Sequence, residues 1–339
     1  MIRSTLARFS AIALFGASLT ACAGSTHLGR TDQARIAGRT YVIVGASSGF
    51  GRGAAVRLGR LGANVVLAAR RADVLEEVAA EVRAGGGTAL VVTTDAGRPE
   101  QVAALADAAV RQFGRIDVWM NIAGVGAVGT FWTVPVADYS RLIDTNVKGV
   151  IYGSHAALNQ FMRQGSGVLV NMGSVESEVP LAYHATYSAS KAAVLSLGRA
   201  INQEIRHAGR GRTIKVATVM PWAADTPFFQ HTANYSGHAD RMPLIDPPEK
   251  VVDALVRASI HPREEMPVGW KAALADTGHH WFPDLTETIA ADVHRAELAK
   301  GSPVGPTSGA VHDPVPQGRG VSGGVRERMK AEDQSRKQQ

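Results

Sequence analysis

Cysteine is almost absent from this sequence. Its 339 residues include a single cysteine, Cys22, which excludes an internal disulfide framework and any metal site built on a Cys-x-x-Cys pair. Aromatic residues are also scarce, at 6%, and none follows Phe282. Hydrophobic residues nevertheless make up 45% of the chain, which is enough to form a substantial core in one large domain or two small ones.

The excess of positive charge is small and lies partly at the C-terminal end. The 36 Lys and Arg side chains exceed the 30 Asp and Glu by six. From residue 317 onward, six basic side chains stand against three acidic ones, so this end contributes 6 − 3 = +3, half of the excess. A short basic segment without interleaved aromatic side chains is typical of a solvated chain end. We therefore expect no nucleic-acid partner.

The N-terminal segment has the order of features typical of a secretory signal. Arg3 and Arg8 accompany a polar start, and an apolar run that begins at Ala11 follows them. The run is shorter than the roughly 20 apolar residues of a membrane-spanning helix. The tetrapeptide Leu-Thr-Ala-Cys that ends at Cys22 resembles the bacterial lipobox, whose cysteine is diacylated and becomes the mature N-terminus.

These features predict a lipoprotein-type signal over residues 1–24, lipidation of Cys22 and a linker over residues 25–37. The protein would then be membrane-associated through a lipid anchor. In the alternative interpretation the start is misassigned and the protein is cytoplasmic. The next methionine is Met120, inside the predicted domain, so such a chain would begin at another codon near Leu28.

Strand-like and helix-like segments alternate from Arg39 to Pro221, within a catalytic domain predicted over residues 38–260. Nearly continuous apolar runs, rich in β-branched residues, occur at 41–46, 64–70, 89–95, 117–123, 167–174 and 214–221. Runs of this kind indicate strands covered on both faces, and amphipathic helical windows separate them. Repeated alternation predicts an α/β domain with a doubly wound parallel sheet.

The C-terminal part is predicted to differ in character. Residues 261–300 are typical of a short helical extension, with a brief strand near residues 266–268. Residues 301–324 contain 7 Gly and 4 Pro. Because a segment without aromatic residues and rich in Gly and Pro has little apolar surface to bury, we expect residues 301–339 to form a disordered basic tail.

A glycine-rich loop follows the first predicted strand. It reads Val44-Gly-Ala-Ser-Ser-Gly-Phe-Gly51 and precedes a helical window. Glycines at such a turn let the backbone approach a pyrophosphate, which the N-H groups and dipole of the helix N-terminus stabilise. The position, between a strand and a helix at the start of an alternating fold, predicts a dinucleotide site.

With this loop and the Tyr187-x-x-x-Lys191 motif, the chain resembles the short-chain dehydrogenase/reductase family, whose loop has the form TGxxxGxG. The resemblance implies a Rossmann-type single domain, assembly as a homodimer or homotetramer, and a nicotinamide cofactor. The residues that match the family's cofactor-binding positions are Gly45, Ser47, Ser48, Gly49, Phe50, Gly51, Asp95, Asn121, Ala123, Gly124, Tyr187, Lys191, Pro221 and Thr226.

Three positions depart from the family's pattern. Val44 replaces the usual Thr of the loop, and Ile122 replaces the second Asn of the family's NNAG segment. Trp222 replaces the Gly that usually follows Pro221, and an indole at this corner would narrow the substrate entrance or redirect the loop.

The end of the second strand bears on the choice of cofactor. An acidic residue there accepts hydrogen bonds from the ribose of NAD, whereas arginine accommodates the 2′-phosphate of NADP. This chain has Arg70 and Arg71 and no acid at this point. The sequence therefore favours NADP(H) over NAD, with Arg70 as the principal contact and Ser47 as a helper.

Four residues form the predicted catalytic set. Tyr187 and Lys191 lie four residues apart, on one face of a predicted helix, and Ser174 follows the fifth predicted strand. Carbonyl reduction needs a proton donor at the oxygen, which Tyr187 would supply, while Ser174 would hydrogen-bond the same oxygen. By family resemblance, Lys191 would also hold the nicotinamide ribose, and Asn146 would anchor a water in a proton relay.

Lys191 is expected to lower the pKa of Tyr187. Moving a phenol from a pKa of about 10 to about 7 requires roughly 4 kcal/mol. One positive charge about 5 Å away, at an effective dielectric constant of 20, supplies about 3 kcal/mol of this.

The predicted substrate pocket contains Glu176, Tyr183, Trp222 and Phe228, and its aromatic character suits a hydrophobic carbonyl or secondary alcohol. His279 and His280 lack partners at metal-ligand spacing, and we expect no metal site. The leading hypothesis is an NADP(H)-dependent oxidoreductase. The alternatives are a membrane-tethered NADP-binding protein without turnover and an epimerase or dehydratase that uses the same Tyr/Lys pair on a nucleotide sugar.

Overall fold

The computed structural model describes residues 29–338. The predicted signal, the lipidation site Cys22 and the first residues of the predicted linker lie outside the described residues and stay predictions. Among the described residues, no helix has both the length and the apolar character needed to cross a membrane.

Seven parallel strands form the central sheet, and each coincides with a strand predicted from the sequence. Their order across the sheet is β3-β2-β1-β4-β6-β7-β9. The bounds are Thr40–Val44 (β1), Asn64–Ala69 (β2), Thr88–Thr93 (β3), Val118–Asn121 (β4), Gly167–Met172 (β6), Ile214–Pro221 (β7) and Glu265–Val268 (β9). A separate parallel pair joins Ala127–Val128 (β5) and Ala233–Asn234 (β8). The predicted doubly wound α/β fold is confirmed.

Helices cover both faces of the sheet and continue to the C-terminus. Their bounds are Arg30–Ala34 (α1), Gly49–Gly59 (α2), Ala72–Ala84 (α3), Pro99–Phe113 (α4), Val136–Ile143 (α5), Gly149–Gln164 (α6), Ala185–His207 (α7), Phe228–His231 (α8), Pro248–Ala258 (α9), Gly269–Trp281 (α10), Pro283–Leu298 (α11) and Val325–Gln338 (α12). A π-helical turn, Asp144–Lys148, joins α5 to α6, and a 3-10 turn, Val175–Ser177, follows β6.

The continuous apolar strands contribute side chains to two hydrophobic cores, one on each face of the sheet. Successive side chains of a strand point to opposite faces, so a strand covered on both faces must be apolar throughout. In β1, Tyr41 and Ile43 join the core on one face, and Val42 and Val44 join the core on the other. Burial of each such side chain contributes about 1.5–3 kcal/mol.

The strand order positions the ligand site. The chain leaves β1 toward β2 and β3 on one side, and it later places β4, β6 and β7 on the other side. The segments that follow β1 and β4 therefore diverge at the carboxyl edge of the sheet. This divergence opens a crevice at the point where doubly wound sheets bind their ligands.

The sheet extends beyond the domain boundary predicted at residue 260. β9 pairs with β7, with Val219 opposite Met266, so it is the seventh strand of the same sheet. Pro267 is compatible with this position because β9 is an edge strand, where a missing N-H costs no ladder hydrogen bond. The helical extension therefore begins only at α10.

Residues 301–338, predicted to be disordered, pack against the domain instead. We call residues 301–338 the C-terminal segment. Val311 and Val325 are fully buried, and Val325 N donates to Asp225 Oδ1 at 2.8 Å. Arg241, itself 1% exposed, forms ion pairs with Glu332 at 2.5 Å and with Asp333 at 2.8 Å. The glycines and prolines allow the C-terminal segment to follow an extended path across the surface. Because this segment has no aromatic side chains to bury, polar contacts hold much of it in place.

Candidate active site

A deep cleft runs along the carboxyl edge of the sheet. Its floor is formed by the residues after β1, β4, β6 and β7, and part of its roof is formed by Ala310, Pro314 and Val315 of the C-terminal segment. Predicted residues that line the cleft are Gly45, Ser47, Ser48, Gly49, Phe50, Arg70, Arg71, Asp95, Ala123, Gly124, Ser174, Glu176, Tyr187, Lys191, Pro221, Trp222, Thr226 and Phe228.

Two glycines of the loop, Gly45 and Gly51, have no space for a side chain. Gly45 has φ +98, and a Cβ there would lie 2.5 Å from Ala123 N. A Cβ on Gly51 would lie 2.0 Å from Gly45 O, so Gly51 permits the loop to close on the helix. Gly51 does not line the cleft, and its contribution to the predicted cofactor set is through this packing. The loop thereby brings its backbone to the cleft surface at the N-terminus of α2.

Arg70 and Arg71 lie at the end of β2, and both contact the C-terminal segment. Arg70 donates to His312 O at 2.7 Å and to Ala310 O at 2.6 Å. Arg71 donates to Ser47 Oγ at 3.2 Å and to three carbonyls of residues 315–318. Burial lowers the pKa of both guanidinium groups. Two positive charges and a loop hydroxyl therefore meet at one end of the cleft, beneath a roof of backbone carbonyls.

Asp95 and Asn121 have different surroundings. Asp95 lines the cleft, and its carboxylate is shared between Arg141 and Gly97 N. Asn121 is 3% exposed and does not line the cleft. Its Oδ1 accepts from Trp119 Nε1 at 2.7 Å, and its Nδ2 donates to Asn171 Oδ1 at 2.9 Å. Asn121 is therefore part of a buried network that joins β4 to β6, and its place among the cofactor-binding residues stays a prediction.

Ser174, Tyr187 and Lys191 meet at the other end of the cleft. Ser174 begins the 3-10 turn after β6, where its Oγ accepts from Glu176 N at 3.1 Å. Tyr187 lies in the first turn of α7. The Lys191 ammonium lies 5.5 Å from the centroid of the Tyr187 ring and donates to Met172 O at 2.8 Å. The helical i, i+4 spacing thus places the phenol and the ammonium beside the end of β6.

The pKa of Tyr187 differs from the one expected from the sequence. Burial and the charge of Glu176 raise the pKa of Tyr187, and hydrogen bonding with Ser174 opposes them only in part. Burial also lowers the pKa of Lys191 to about 8, although Glu176 acts in the opposite direction. The expected lowering of the Tyr187 pKa by Lys191 is therefore not found in this structure, because desolvation dominates.

Asn146 lies behind the catalytic group, in the π-helical turn. It is fully buried and does not line the cleft. Its side chain donates to Val125 O at 2.9 Å and to Ser190 Oγ at 3.1 Å, and it accepts from Val125 N at 2.9 Å. Asn146 therefore ties the segment after β4 to α7, the helix that carries Tyr187 and Lys191.

Three predicted pocket residues line the cleft, and one does not. Glu176 lines the cleft and accepts from Ser188 Oγ at 2.7 Å. Phe228 packs on Tyr187, with 5.4 Å between ring centroids, and Trp222 Nε1 donates to Pro243 O at 3.0 Å. Tyr183 has φ +69 and does not line the cleft, so its assignment to this pocket is wrong.

Several cleft residues were not predicted. His184, Asp240 and Met242 line the substrate end, and Ala310, Pro314 and Val315 form part of the roof. His184 Nδ1 contacts Glu176 Oε1 at 3.1 Å. Burial lowers the pKa of His184, but the charge and hydrogen bond of Glu176 outweigh this and raise it to about 9. The only feature of the sequence that could have pointed to His184 as a cleft residue is its position, three residues before Tyr187.

Comparisons with known proteins agree with this geometry. A crevice of this kind defines the chain as a dinucleotide-binding protein of the doubly wound class. The family model described as short chain dehydrogenase matches residues 39–235, more than half of the chain. The chain belongs to the short-chain dehydrogenase family and is an oxidoreductase, and the fold of this family binds a nicotinamide cofactor.

Individual relatives cover most of the domain. The uncharacterized oxidoreductase YxnA of Bacillus subtilis is 34% identical over 258 residues, which are 74% of this chain and 71% of that protein. The 3beta-hydroxysteroid dehydrogenase 1 of Eggerthella lenta is 40% identical over 195 residues, 56% of this chain and 72% of that protein. A Burkholderia phymatum short chain dehydrogenase/reductase solved with NAD has a TM-score of 0.66 and 25% identity, covering 80% of this chain and 98% of the other.

Proposed function

We propose that this protein is an NADP(H)-dependent oxidoreductase that interconverts a carbonyl and a secondary alcohol. The observation that carries the proposal is the meeting of Ser174, Tyr187 and Lys191 at one end of a cleft whose other end holds the glycine loop and Arg70. When bound, the nicotinamide ring of the cofactor supplies or accepts the hydride. The side chains of this protein would bind and orient the reactants and move the proton.

Tyr187 is the proposed acid and base. Its hydroxyl would donate a proton to the carbonyl oxygen in reduction and would accept it back in oxidation. Ser174 would hydrogen-bond the same oxygen and stabilise its developing charge. Lys191, 5.5 Å from the phenol ring, would hold the nicotinamide ribose. Asn146 acts as a positioning residue in this scheme, because its hydrogen bonds hold the segment after β4 against α7.

The loop and its surroundings fit a dinucleotide. A Cβ on Gly124 would lie 3.5 Å from Asn146 Oδ1 and 3.6 Å from Lys191 Nζ, so this glycine keeps the cleft open beside the catalytic lysine. At the other end, Arg70 and Arg71 would take the 2′-phosphate. Their guanidinium groups would redirect donors from the carbonyls of the C-terminal segment to the phosphate, since charged acceptors form the stronger hydrogen bonds.

The proposed substrate is a hydrophobic carbonyl or secondary alcohol. Phe228, Trp222 and Met242 line the wall near Tyr187. The likeness to a 3beta-hydroxysteroid dehydrogenase makes hydroxysteroids and oxosteroids the first compounds to test.

The test measures NADPH oxidation by the purified protein with a panel of oxosteroids and smaller hydrophobic ketones. We expect turnover that falls by about 10²–10⁴-fold in Tyr187→Phe, while the dissociation constant for NADPH stays unchanged. Tyr152→Phe is the matched control, because Tyr152 packs in the core beside the sheet and not in the cleft. NADPH binding without turnover across the whole panel would instead support the alternative, a tethered binding protein.

We further propose that Cys22 carries a diacylglyceryl anchor and that the domain forms a homodimer or homotetramer. The lipobox-like tetrapeptide supports the first proposal, and the family resemblance supports the second. Intact-mass analysis of the protein from its native host tests the anchor, since a chain beginning near residue 28 would contradict it. Sedimentation equilibrium tests the assembly, which a monomer at micromolar concentration would contradict.

A further inference from the structure

Three buried polar side chains, each with one atom that lacks a hydrogen-bond partner, converge beside the substrate end of the cleft. His184 caps α7, Asp240 lies in the loop after β8, and His294 lies in α11. Their exposed fractions are 7%, 4% and 1%, respectively. Among residues 29–338, His184 Nε2, Asp240 Oδ1 and His294 Nε2 have no hydrogen-bond partner. One ligand atom from each residue lies within 4.8 Å of those of the other two.

The other ring nitrogen of each histidine is already engaged. His184 Nδ1 lies 3.1 Å from Glu176 Oε1, and His294 Nδ1 lies 3.0 Å from Ala182 O. A carboxylate and a carbonyl can only accept, so Nδ1 carries the hydrogen in both rings. In its neutral form, each imidazole presents a lone pair at Nε2. Metal-binding histidines are oriented in this way, by a hydrogen bond from the second ring nitrogen to an oxygen.

Each of the three buried atoms needs a partner, because an unsatisfied buried polar atom is costly. His184, whose pKa is raised to about 9, carries a proton on Nε2 at neutral pH in the metal-free protein, and a bound cation would displace this proton. A cation can accept a lone pair from all three atoms at once.

We propose that His184, Asp240 and His294 form a binding site for a divalent transition-metal ion of the zinc type. Two imidazole nitrogens and one carboxylate oxygen are a ligand set that Zn²⁺ accepts, with a fourth coordination position left for water. Ligand atoms about 2.1 Å from one ion, at tetrahedral angles, are roughly 3.4 Å apart. Side-chain rotations of about 1 Å would bring the three atoms to that spacing.

The ion would join three segments that are distant in the chain. It would tie the start of α7 to the loop that holds Asp240 and to α11. His184 and Asp240 line the cleft together with Glu176 and Met242, and the His184 and Tyr187 ring centroids are 6.1 Å apart. The proposed role is structural, since the ion would fix the wall of the substrate pocket.

The experiment uses the full chain, expressed without a histidine tag and stripped of metal with a chelator. Zn²⁺ is titrated into the protein by calorimetry, and the midpoint of thermal unfolding is measured with and without Zn²⁺. We expect one equivalent of Zn²⁺ per chain, with a dissociation constant in the micromolar range or below, and a higher unfolding temperature with the ion. Co²⁺ should give the visible absorption bands of a four-coordinate site.

Two variants and a control locate the site. Asp240→Asn and His294→Gln should each weaken Zn²⁺ binding by at least about 100-fold. His279→Gln should bind as the unaltered protein does, because His279 pairs with Glu287 outside the cluster. If the unaltered protein does not bind Zn²⁺ at 100 µM, or if both cluster variants bind it as tightly as the control, the proposal is overturned. Neither readout requires enzymatic activity, so failure here is distinct from failure of the proposed function.

Discussion

Replacement of Arg70 by alanine should change the choice between NADPH and NADH. Arg70 donates to Ala310 O and His312 O at 2.6 and 2.7 Å. A hydrogen bond from a charged donor contributes about 1.5–3 kcal/mol, so binding of a 2′-phosphate must first replace about 3–6 kcal/mol of such contacts. A phosphate of about −1.5 charge, 4 Å from a guanidinium at an effective dielectric constant of 20, gains roughly 6 kcal/mol.

The carbonyls that Arg70 releases form hydrogen bonds with water, which offsets part of the free energy lost when their bonds to Arg70 break. The 2′-phosphate contact then contributes a net binding free energy of about 1.5–3 kcal/mol. Arg70→Ala should therefore lower the ratio of kcat/KM for NADPH to that for NADH by roughly 10- to 100-fold. Loosening of the C-terminal segment would affect both cofactors equally, so the ratio isolates the phosphate contact. The assay is initial-rate kinetics with each cofactor at a fixed concentration of the carbonyl substrate.

Arg83→Ala is the matched control. The Arg83 guanidinium donates to Ala89 O and does not line the cleft. The Arg83→Ala variant should leave the ratio of kcat/KM for NADPH to that for NADH unchanged. The reasoning is refuted if Arg70→Ala also leaves the ratio unchanged, because Arg70 would then serve only to hold the C-terminal segment.

Three further predictions concern stability and packing. Asn146→Ala should lower the free energy of unfolding by about 2–4 kcal/mol in denaturant titration, because it leaves the N-H and C=O of Val125 without their partners. Gly153→Ala should cost about 1–3 kcal/mol in the same assay, because its Cβ would lie 2.1 Å from Asn121 Oδ1 in a packed network. Val311→Asp should place a charge at a fully buried position and raise the rate of tryptic cleavage at Arg319 several-fold, as read by mass spectrometry.

Each of these three has a control in the same chain. Asn159→Ala removes an exposed amide whose hydrogen bonds are with His155, and Gly305→Ala adds a methyl group where no atom lies within 4 Å. Both should change stability by less than about 0.5 kcal/mol, as surface substitutions do. Val304→Asp, at a position 38% exposed, should leave tryptic cleavage unchanged. An equal response of variant and control would contradict the corresponding argument.

Much of the fold could be predicted because its signals are local. A strand buried on both faces has to be apolar along most of its length. The sequence shows such apolar runs at five strands, namely β1, β2, β4, β6 and β7. The glycine loop could be predicted for the same reason, since Gly45 and Gly51 occupy positions where any Cβ would overlap the backbone. The i, i+4 spacing likewise places Tyr187 and Lys191 on one face of α7.

Features that depend on contacts between distant segments were mispredicted. The composition of residues 301–338 predicts disorder, yet Val311, Val325 and the partners of Arg241 hold this segment on the domain. The pKa of Tyr187 is also a property of its surroundings, since burial and the charge of Glu176 raise it.

The sequence by itself determined the class of fold and the place of the glycine loop, and it predicted Ser174, Tyr187 and Lys191 as the side chains that would bind the reacting oxygen and move the proton. These follow from periodicity, steric exclusion and helical spacing, which act within a few residues. Only the tertiary structure decided what covers the cleft and which carbonyls accept hydrogen bonds from Arg70. It also decided that His184, Asp240 and His294 meet in one buried cluster. Such juxtapositions depend on how segments separated by tens of residues pack, and no local pattern encodes them.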